Sequence, residues 1–276
     1  MQNWAHACQV FDELNGTPTQ ARDTDFSRVR SWYLDGDAAK LRQSVLLAAH
    51  PSAELAALAR GCANVAGRTT TRPTYRGALA RVPSGMRQLY VRFDADDPAT
   101  AADARLRAFS ARILPSIVRS LADGADGRTL LFVPSYLEFV RVQALLKGEG
   151  VPFAAVSEYS TPKEASRART RLQQGQLPLL LYTERAHFFR RHRFPGAHNL
   201  ALLAPPTYPH FYLELIGMLE GGRRGADGGG GGGEGGGAGS VLVLCCRLDL
   251  PPLQRLVGSE RAARMLTDEK SSFLFC

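Results

Sequence analysis

From Arg128 onward, short apolar runs alternate with longer stretches in which apolar and polar residues recur at helical spacing. "RTLLFV" (128–133), "FAAVS" (153–157), "PLLLY" (178–182), "NLALLA" (199–204) and "SVLVLC" (240–245) read as strands buried on both faces. After the first run, Ser135 and Glu138 form the S-x-x-E pattern of a capping box, and Gly148 and Gly150 stop the helix it starts. Thr161-Pro162-Lys163-Glu164 is a second capping box with proline at the first helical position, opening a helix that ends at Gly175. Further helices are expected near 209–219 and over 251–266. This alternation predicts an α/β fold with a parallel sheet covered by helices on both faces. The first 120 residues are less regular. There "QSVLLAA" (43–49) reads as a strand, "PSAELAALARGC" (51–62) as a helix ending at Gly61, and residues 99–120 as an amphipathic helix broken near Pro115.

Composition changes this picture in two places. Thirteen of residues 221–240 are glycine, which has no side chain to bury and costs backbone entropy to order, so this stretch is expected to be a disordered insertion before the last core strand. Its single Arg-Arg-Gly is not a repeat array, and no RNA binding is assigned to it. The formal net charge of the 276 residues is +8, and its placement matters more than its sum. Between Ser160 and Pro195 lie Lys163, Arg167, Arg169, Arg171, Arg185, Arg190, Arg191 and Arg193 against Glu164 and Glu184, a local net charge of +6. The five cysteines are odd in number and scattered, without a C-x-x-C pair, so neither a disulfide framework nor a zinc knuckle is expected. No run approaches the roughly 20 apolar residues of a membrane span, and the first residues lack a signal-peptide pattern, so no membrane partner is expected.

The familiar catalytic signatures are missing: there is no G-x-x-x-x-G-K-[ST] phosphate loop, G-x-S-x-G elbow, H-E-x-x-H or post-strand G-x-G-x-x-G. His187 and His192 stand five apart, off a common helical face, so the histidines read as surface or capping residues and no metal or cofactor is expected. Cys245-Cys246 lies in a strand run, where neighbouring side chains point to opposite faces, and reads as a pair of core thiols. The arginine-rich stretch follows a parallel strand, at the edge where open α/β sheets bind ligands. Its bland reading is a solvated crossover. Its functional reading is a surface for RNA or a ribonucleoprotein, with Arg185, Arg190, Arg191 and Arg193 as first candidates for phosphate contacts, then Arg167, Arg169 and Arg171. Phe188 and Phe189 are placed to stack on bases, or to pack in the core. Tyr208, Phe211 and Tyr212, beside Pro205, Pro206 and Pro209, are expected to fix a helix start or to meet a protein partner.

"FVPSYLEFVRVQ", "VSEYSTPKEASRARTRLQQG", "LLLYTERAHFFRRHRFPGAHNL" and "PPTYPHFYLELIGML" together resemble the U3 small nucleolar RNA-associated protein 25 family, also called digestive organ expansion factor. The resemblance is dense over 128–219 and weaker in "MQNWAH", "DFSRVRSWYL", "RILPSI" and "GSERAARML". It implies two RecA-like lobes of the DEAD-box helicase kind. Residues 1–75 would be an incomplete first lobe, the chain beginning partway through it, and residues 76–276 a degenerate helicase C-terminal lobe. Thr183-Glu184 follows Gly175 at the spacing at which helicases carry Thr-Asp, which implies an RNA contact at Thr183. "AHFFRRHRF" stands where helicases have Arg-Gly-x-Asp, and Ala48-Ala49-His50 where they read Ser-Ala-Thr. The helicase arginine positions that neutralise charge on a transferred phosphoryl group become Leu215 and Met218 around a retained Ile216-Gly217. The resemblance thus implies a non-enzyme in the nucleus and nucleolus, acting in the small-subunit processome. Its partners would be pre-ribosomal RNA or U3 small nucleolar RNA and processome proteins, with no small-molecule substrate. A protein-interaction scaffold without RNA contact, and an active ATP-dependent helicase, stand as alternatives.

Overall fold

Alternate residues of the central strands feed two separate apolar layers in this computed structural model. It describes residues 3–14, 20, 22–71, 73–95, 97–122, 127–219 and 239–276. Two compact units divide the chain, Met1–Pro73 and Thr74–Cys276. The first holds α1 (Trp4–Glu13), α2 (Ser31–Leu34), α3 (Ala38–Leu41) and α4 (Ala53–Gly61). Ser52 caps α4 by accepting the Leu55 N–H at 3.2 Å, so that helix forms where the sequence places it. The strand expected at 43–49 does not form. Val45 and Leu47 stand 72% and 89% exposed, and without a neighbouring strand among the described residues the segment has no ladder to join.

The second unit contains β1 (Arg87–Arg92), α5 (Pro98–Arg112), α6 (Leu114–Ala122), β2 (Thr129–Val133), α7 (Tyr136–Gly148), β3 (Ala154–Val156), α8 (Pro162–Gln173), β4 (Leu179–Thr183), α9 (Glu184–Arg190), β5 (Asn199–Leu202), α10 (Pro209–Ile216), β6 (Ser240–Cys245), α11 (Leu250–Val257), α12 (Ser259–Thr267) and β7 (Ser272–Phe275). The sheet order is β3-β4-β2-β5-β6-β1-β7. All pairings are parallel except β1 with β7, which is antiparallel at the edge. Leu130, Phe132, Leu180, Tyr182, Leu200 and Leu202 face α8, α10, α11 and α12, whereas Leu131, Val133, Leu179, Leu181 and Ala201 face α5, α6 and α7. The predicted α/β class, with helices on both faces, is therefore observed. The two strands that escape the sequence reading, β1 and β7, lie at one side of the sheet. β1 carries a buried Gln88, which accepts the Tyr212 hydroxyl at 2.7 Å and breaks the apolar run that would announce a strand.

Three departures from the sequence reading have local causes. The break expected near Pro115 is present but two to three residues earlier: α5 ends at Arg112 and α6 starts at Leu114, placing Pro115 in the first turn of α6, where its missing N–H leaves no bond unmade. The helix expected over 251–266 is broken at Gly258 (φ +98), because residues 75–78 cross there against backbone. The Ala78 N–H donates to the Leu256 carbonyl at 2.6 Å, and the Ser259 N–H to the Tyr75 carbonyl at 2.9 Å. Gly77 (φ +89) meets this junction so closely that an added Cβ would stand 2.6 Å from Gly258 N. Third, the Ser135 hydroxyl caps α7 by accepting the Glu138 N–H at 3.2 Å and itself donates to Glu138 Oε2 at 3.0 Å. Glu138 Oε1 belongs instead to Arg105, whose Nη1 lies 2.8 Å away. Arg105 Nη2 reaches Asp249 Oδ1 at 2.8 Å, so one guanidinium joins α5, α7 and the turn before α11, each side chain only 10–12% exposed. The Gly-rich stretch lies outside the described residues from 220 to 238; the strand after it begins at Ser240.

Candidate nucleic-acid interface

The carboxyl ends of the three neighbouring strands β3, β4 and β2 share one edge, and each passes at once into a helix or turn that carries exposed aromatic or basic residues. At β4 the connection has no residues: Thr183 ends the strand and caps α9, accepting the Ala186 N–H at 3.2 Å and donating to Glu158 Oε2 at 2.9 Å. Both sides of that hydroxyl are committed and Thr183 is fully buried, so the RNA contact implied for it is corrected: Thr183 is the joint that aims α9. Glu184, also buried, accepts the Thr207 N–H at 2.8 Å and fixes the turn after β5; burial, opposed by that hydrogen bond, raises its carboxyl pKa.

α9 thus places Arg185, Phe188, Phe189 and Arg190 at the surface. Phe188 and Phe189 are 47% and 53% exposed with their rings edge to face at 5.1 Å, which removes the core-packing reading of both. The Arg185 guanidinium lies over the Phe189 ring at 5.6 Å. From β3, Tyr159 projects 73% exposed, and its ring meets Tyr136, at the start of α7, at 4.8 Å. Glu158, Tyr159, Arg185, Phe189 and Arg190 line an open concavity of about 420 Å³. Tyr136 and Tyr159 are site residues that the sequence reading missed. Their position one to three residues beyond an apolar strand run was the available signal.

The arginines divide into two groups. Arg167, Arg169 and Arg171 project from the polar side of α8, whose Ala165, Ala168 and Leu172 are buried, and with Arg190 and Arg193 they are exposed. None of these five side chains makes a hydrogen bond or ion pair to a described residue. Arg169 and Arg190 converge on His192, whose pKa is lowered first by burial and then by those two cations. Arg191 differs. It closes α9 in the left-handed conformation (φ +46), and its Nη1 reaches Glu214 Oε1 and Oε2 at 2.6 and 2.7 Å, with its guanidinium over the Phe211 ring at 4.5 Å. Unlike the other candidates, Arg191 is already ion-paired with a carboxylate. Its reversal turns the chain so that Arg190 and Arg193 face outward.

Beneath this surface lies a polar chain. His187, 1% exposed, places Nε2 2.8 Å from Glu214 Oε2 and Nδ1 3.3 Å from the Tyr182 hydroxyl. Burial lowers the His187 pKa, only partly offset by Glu214, so the surroundings favour the neutral ring. Burial alone would raise the Glu214 carboxyl, but the hydrogen bonds from Arg191 and His187 leave it lowered. His187 is a core residue, not the surface or capping histidine expected. The partner-contact reading of Phe211 and Tyr212 is likewise corrected: both are fully buried, Phe211 against His187 and Tyr212 on Gln88. Tyr208 is half-buried between Phe188 and Phe211. Among the described residues no group of three or more His, Cys, Asp and Glu is arranged to hold a metal ion.

Comparison with known proteins follows the same division of the chain. The family described as "Utp25, C-terminal domain" matches residues 78–275, and that described as "UTP25, NTP hydrolase-like domain" matches residues 1–69. U3 small nucleolar RNA-associated protein 25 of Neurospora crassa is 39% identical over 290 residues, covering 100% of this chain and 36% of the relative. Protein NUCLEOLAR FACTOR 1 of Arabidopsis thaliana is 37% identical over 277 residues, covering 100% and 34%. The chain therefore spans about a third of the length of these relatives. Among solved structures it is similar to domain 2 of the Mss116p DEAD-box helicase bound to an RNA duplex, with a TM-score of 0.43 at 15% identity, covering 64% of this chain and 59% of that one. With the C-terminal family domain matched from residue 78 to residue 275, this chain belongs to the U3 small nucleolar RNA-associated protein 25 family.

Proposed function

We propose that this chain is the helicase-like part of a ribosome-biogenesis factor that acts in the nucleolus within the small-subunit processome. In this reading it binds pre-ribosomal RNA or U3 small nucleolar RNA, and protein neighbours, without turning over ATP. The observation that carries it is the set of unpaired, exposed arginines on α8 and around α9, gathered beside exposed aromatic rings at the carboxyl edge of a parallel sheet. The relatives' names, U3 small nucleolar RNA-associated protein 25 and NUCLEOLAR FACTOR 1, agree with it. The non-catalytic part rests on the end of α10 and the turn after it, where helicases would present arginines: Leu215 and Met218 are 0% and 6% exposed and pack in the apolar layer. A lost arginine finger costs about 10³ to 10⁵ in rate.

The test is RNA binding by the whole chain across a salt series, beside Arg169→Glu/Arg190→Glu/Arg193→Glu. Wild-type affinity is expected to fall log-linearly with salt, and the variant to lose at least tenfold with a shallower slope, by about one unit per phosphate contact removed. Equal binding by the two proteins would refute the RNA face and leave these arginines to acidic protein segments. ATP turnover well above background, lost on substitution within α10, would refute the non-catalytic reading.

A further inference from the structure

Five large side chains stand exposed on one edge of a unit whose other described Tyr and Phe rings are buried or partly buried. Tyr90, Tyr182, Tyr212, Phe109, Phe132, Phe194 and Phe211 are all less than 2% exposed. Tyr136, Tyr159, Phe188 and Phe189 are 39% to 73% exposed, and beside them on α7 Leu137 is 77% exposed. Tyr159 and Phe189 both line the concavity of about 420 Å³, within the size range of small-ligand sites. Each ring has a neighbour that holds it: Tyr136 and Tyr159 meet edge to face at 4.8 Å, and the Arg185 cation lies over one face of Phe189 at 5.6 Å. The one acid of the lining, Glu158, is 10% exposed and accepts the Thr183 hydroxyl, with Arg185 Nε 4.0 Å away, so its charge is screened from the opening.

We propose that this edge binds a short single-stranded RNA segment, stacking bases on Tyr159 and Phe189 while Arg185 and Arg190 hold the flanking phosphates. The inference rests on the RNA-binding reading above and sharpens it: it names unpaired bases, where that reading needs only phosphates. A duplex keeps its bases stacked on one another and offers the rings nothing, whereas an unpaired strand offers a π-face at every base, whatever its sequence. Charge decides for nucleic acid over an apolar peptide, since Arg185 and Arg190 flank the rings, with Arg169 and Arg193 beyond. Stacking also fixes the sequence dependence, which should be weak.

The experiment compares a labelled ten-nucleotide oligouridine with a twelve-base-pair RNA duplex, by fluorescence anisotropy on the whole chain. The variants are Tyr159→Ala, Phe189→Ala and Arg185→Gln/Arg190→Gln. Each ring removal is expected to weaken oligouridine binding by about 5- to 100-fold with the salt slope unchanged, and to leave duplex binding within about twofold. The arginine variant should weaken both and lower the slope. Unchanged oligouridine binding in both ring variants, with the arginine variant still weakened, overturns the stacking proposal and leaves the basic RNA face standing. Tighter binding of the duplex than of the strand also overturns it. No binding of either RNA by wild type removes both readings. All the substituted side chains are exposed and lie outside the two apolar layers, so the variants report on binding and not on folding.

Discussion

Removing Arg105 should be among the most damaging single changes in the second unit. Its guanidinium is 11% exposed and holds Glu138 at 2.8 Å and Asp249 at 2.8 and 3.1 Å, with Phe93 facing it at 5.7 Å. Arg105→Met keeps most of the volume and the contact with Phe93 but leaves two carboxylates, 10% and 12% exposed, without a cation. Breaking a buried pair in this way costs about 3–5 kcal/mol. For a unit of this size that is roughly 6–20 °C in melting temperature. The companion variant Arg105→Met/Glu138→Gln/Asp249→Asn removes the stranded charges together and retains acceptors for the Ser135 hydroxyl and the Cys246 N–H, so it should recover more than half of the loss. Differential scanning calorimetry of the three proteins at one pH decides. A single variant within about 1 kcal/mol of wild type, or a triple variant less stable than the single, would show that the cluster is effectively solvated and refute the argument.

Gly77→Ala should cost roughly 2 kcal/mol or more, because a Cβ would lie 2.6 Å from the Gly258 backbone at a φ of +89; thermal melting checks it, and a loss below about 0.5 kcal/mol would mean that the crossing strap moves freely. Burial pushes the Cys245 thiol up to about 12 and the Cys246 thiol up to about 11, so in the native protein Ellman's reagent should label exposed Cys276 long before either, with both becoming reactive only on unfolding. The His187 pKa is depressed in the folded state, so the unfolded chain binds the extra proton. Stability should therefore be complete above the ordinary histidine value of about 6.5 and fall as pH drops through it toward the folded value. His187→Gln should lose that segment of the pH dependence in melts between pH 7.5 and 5.5, and an unchanged profile would place the titration elsewhere.

The layered sheet was legible because parallel strands buried on both faces leave unbroken apolar runs, and because Ser135, Thr161 and Gly175 mark helix ends through local backbone chemistry. β1 was not, since a buried glutamine and flanking arginines disguise a strand whose partners lie far along the chain. The site was legible in its charge but not in its division of labour. Nothing local tells Arg190 from Arg191; the left-handed turn that sends one outward and the other onto Glu214 depends on α10, which packs there only once the sheet has formed. Phe188 and Phe211 likewise look alike in sequence, and only assembly decides which of them is covered.

Thr183 belongs at once to the last rung of β4 and to the cap of α9, so no hinge separates sheet from helix. The azimuth of α9 is then geared to the strand. At 3.6 residues per turn, one residue inserted between Thr183 and Glu184 would swing the helix by about 100°, carrying Arg185 and Phe189 off the edge and turning Ala186 and His187 toward water. Point substitutions on the outer face of α9 cost little in folding, whereas a change of length at this single peptide bond would disorganise surface and core together.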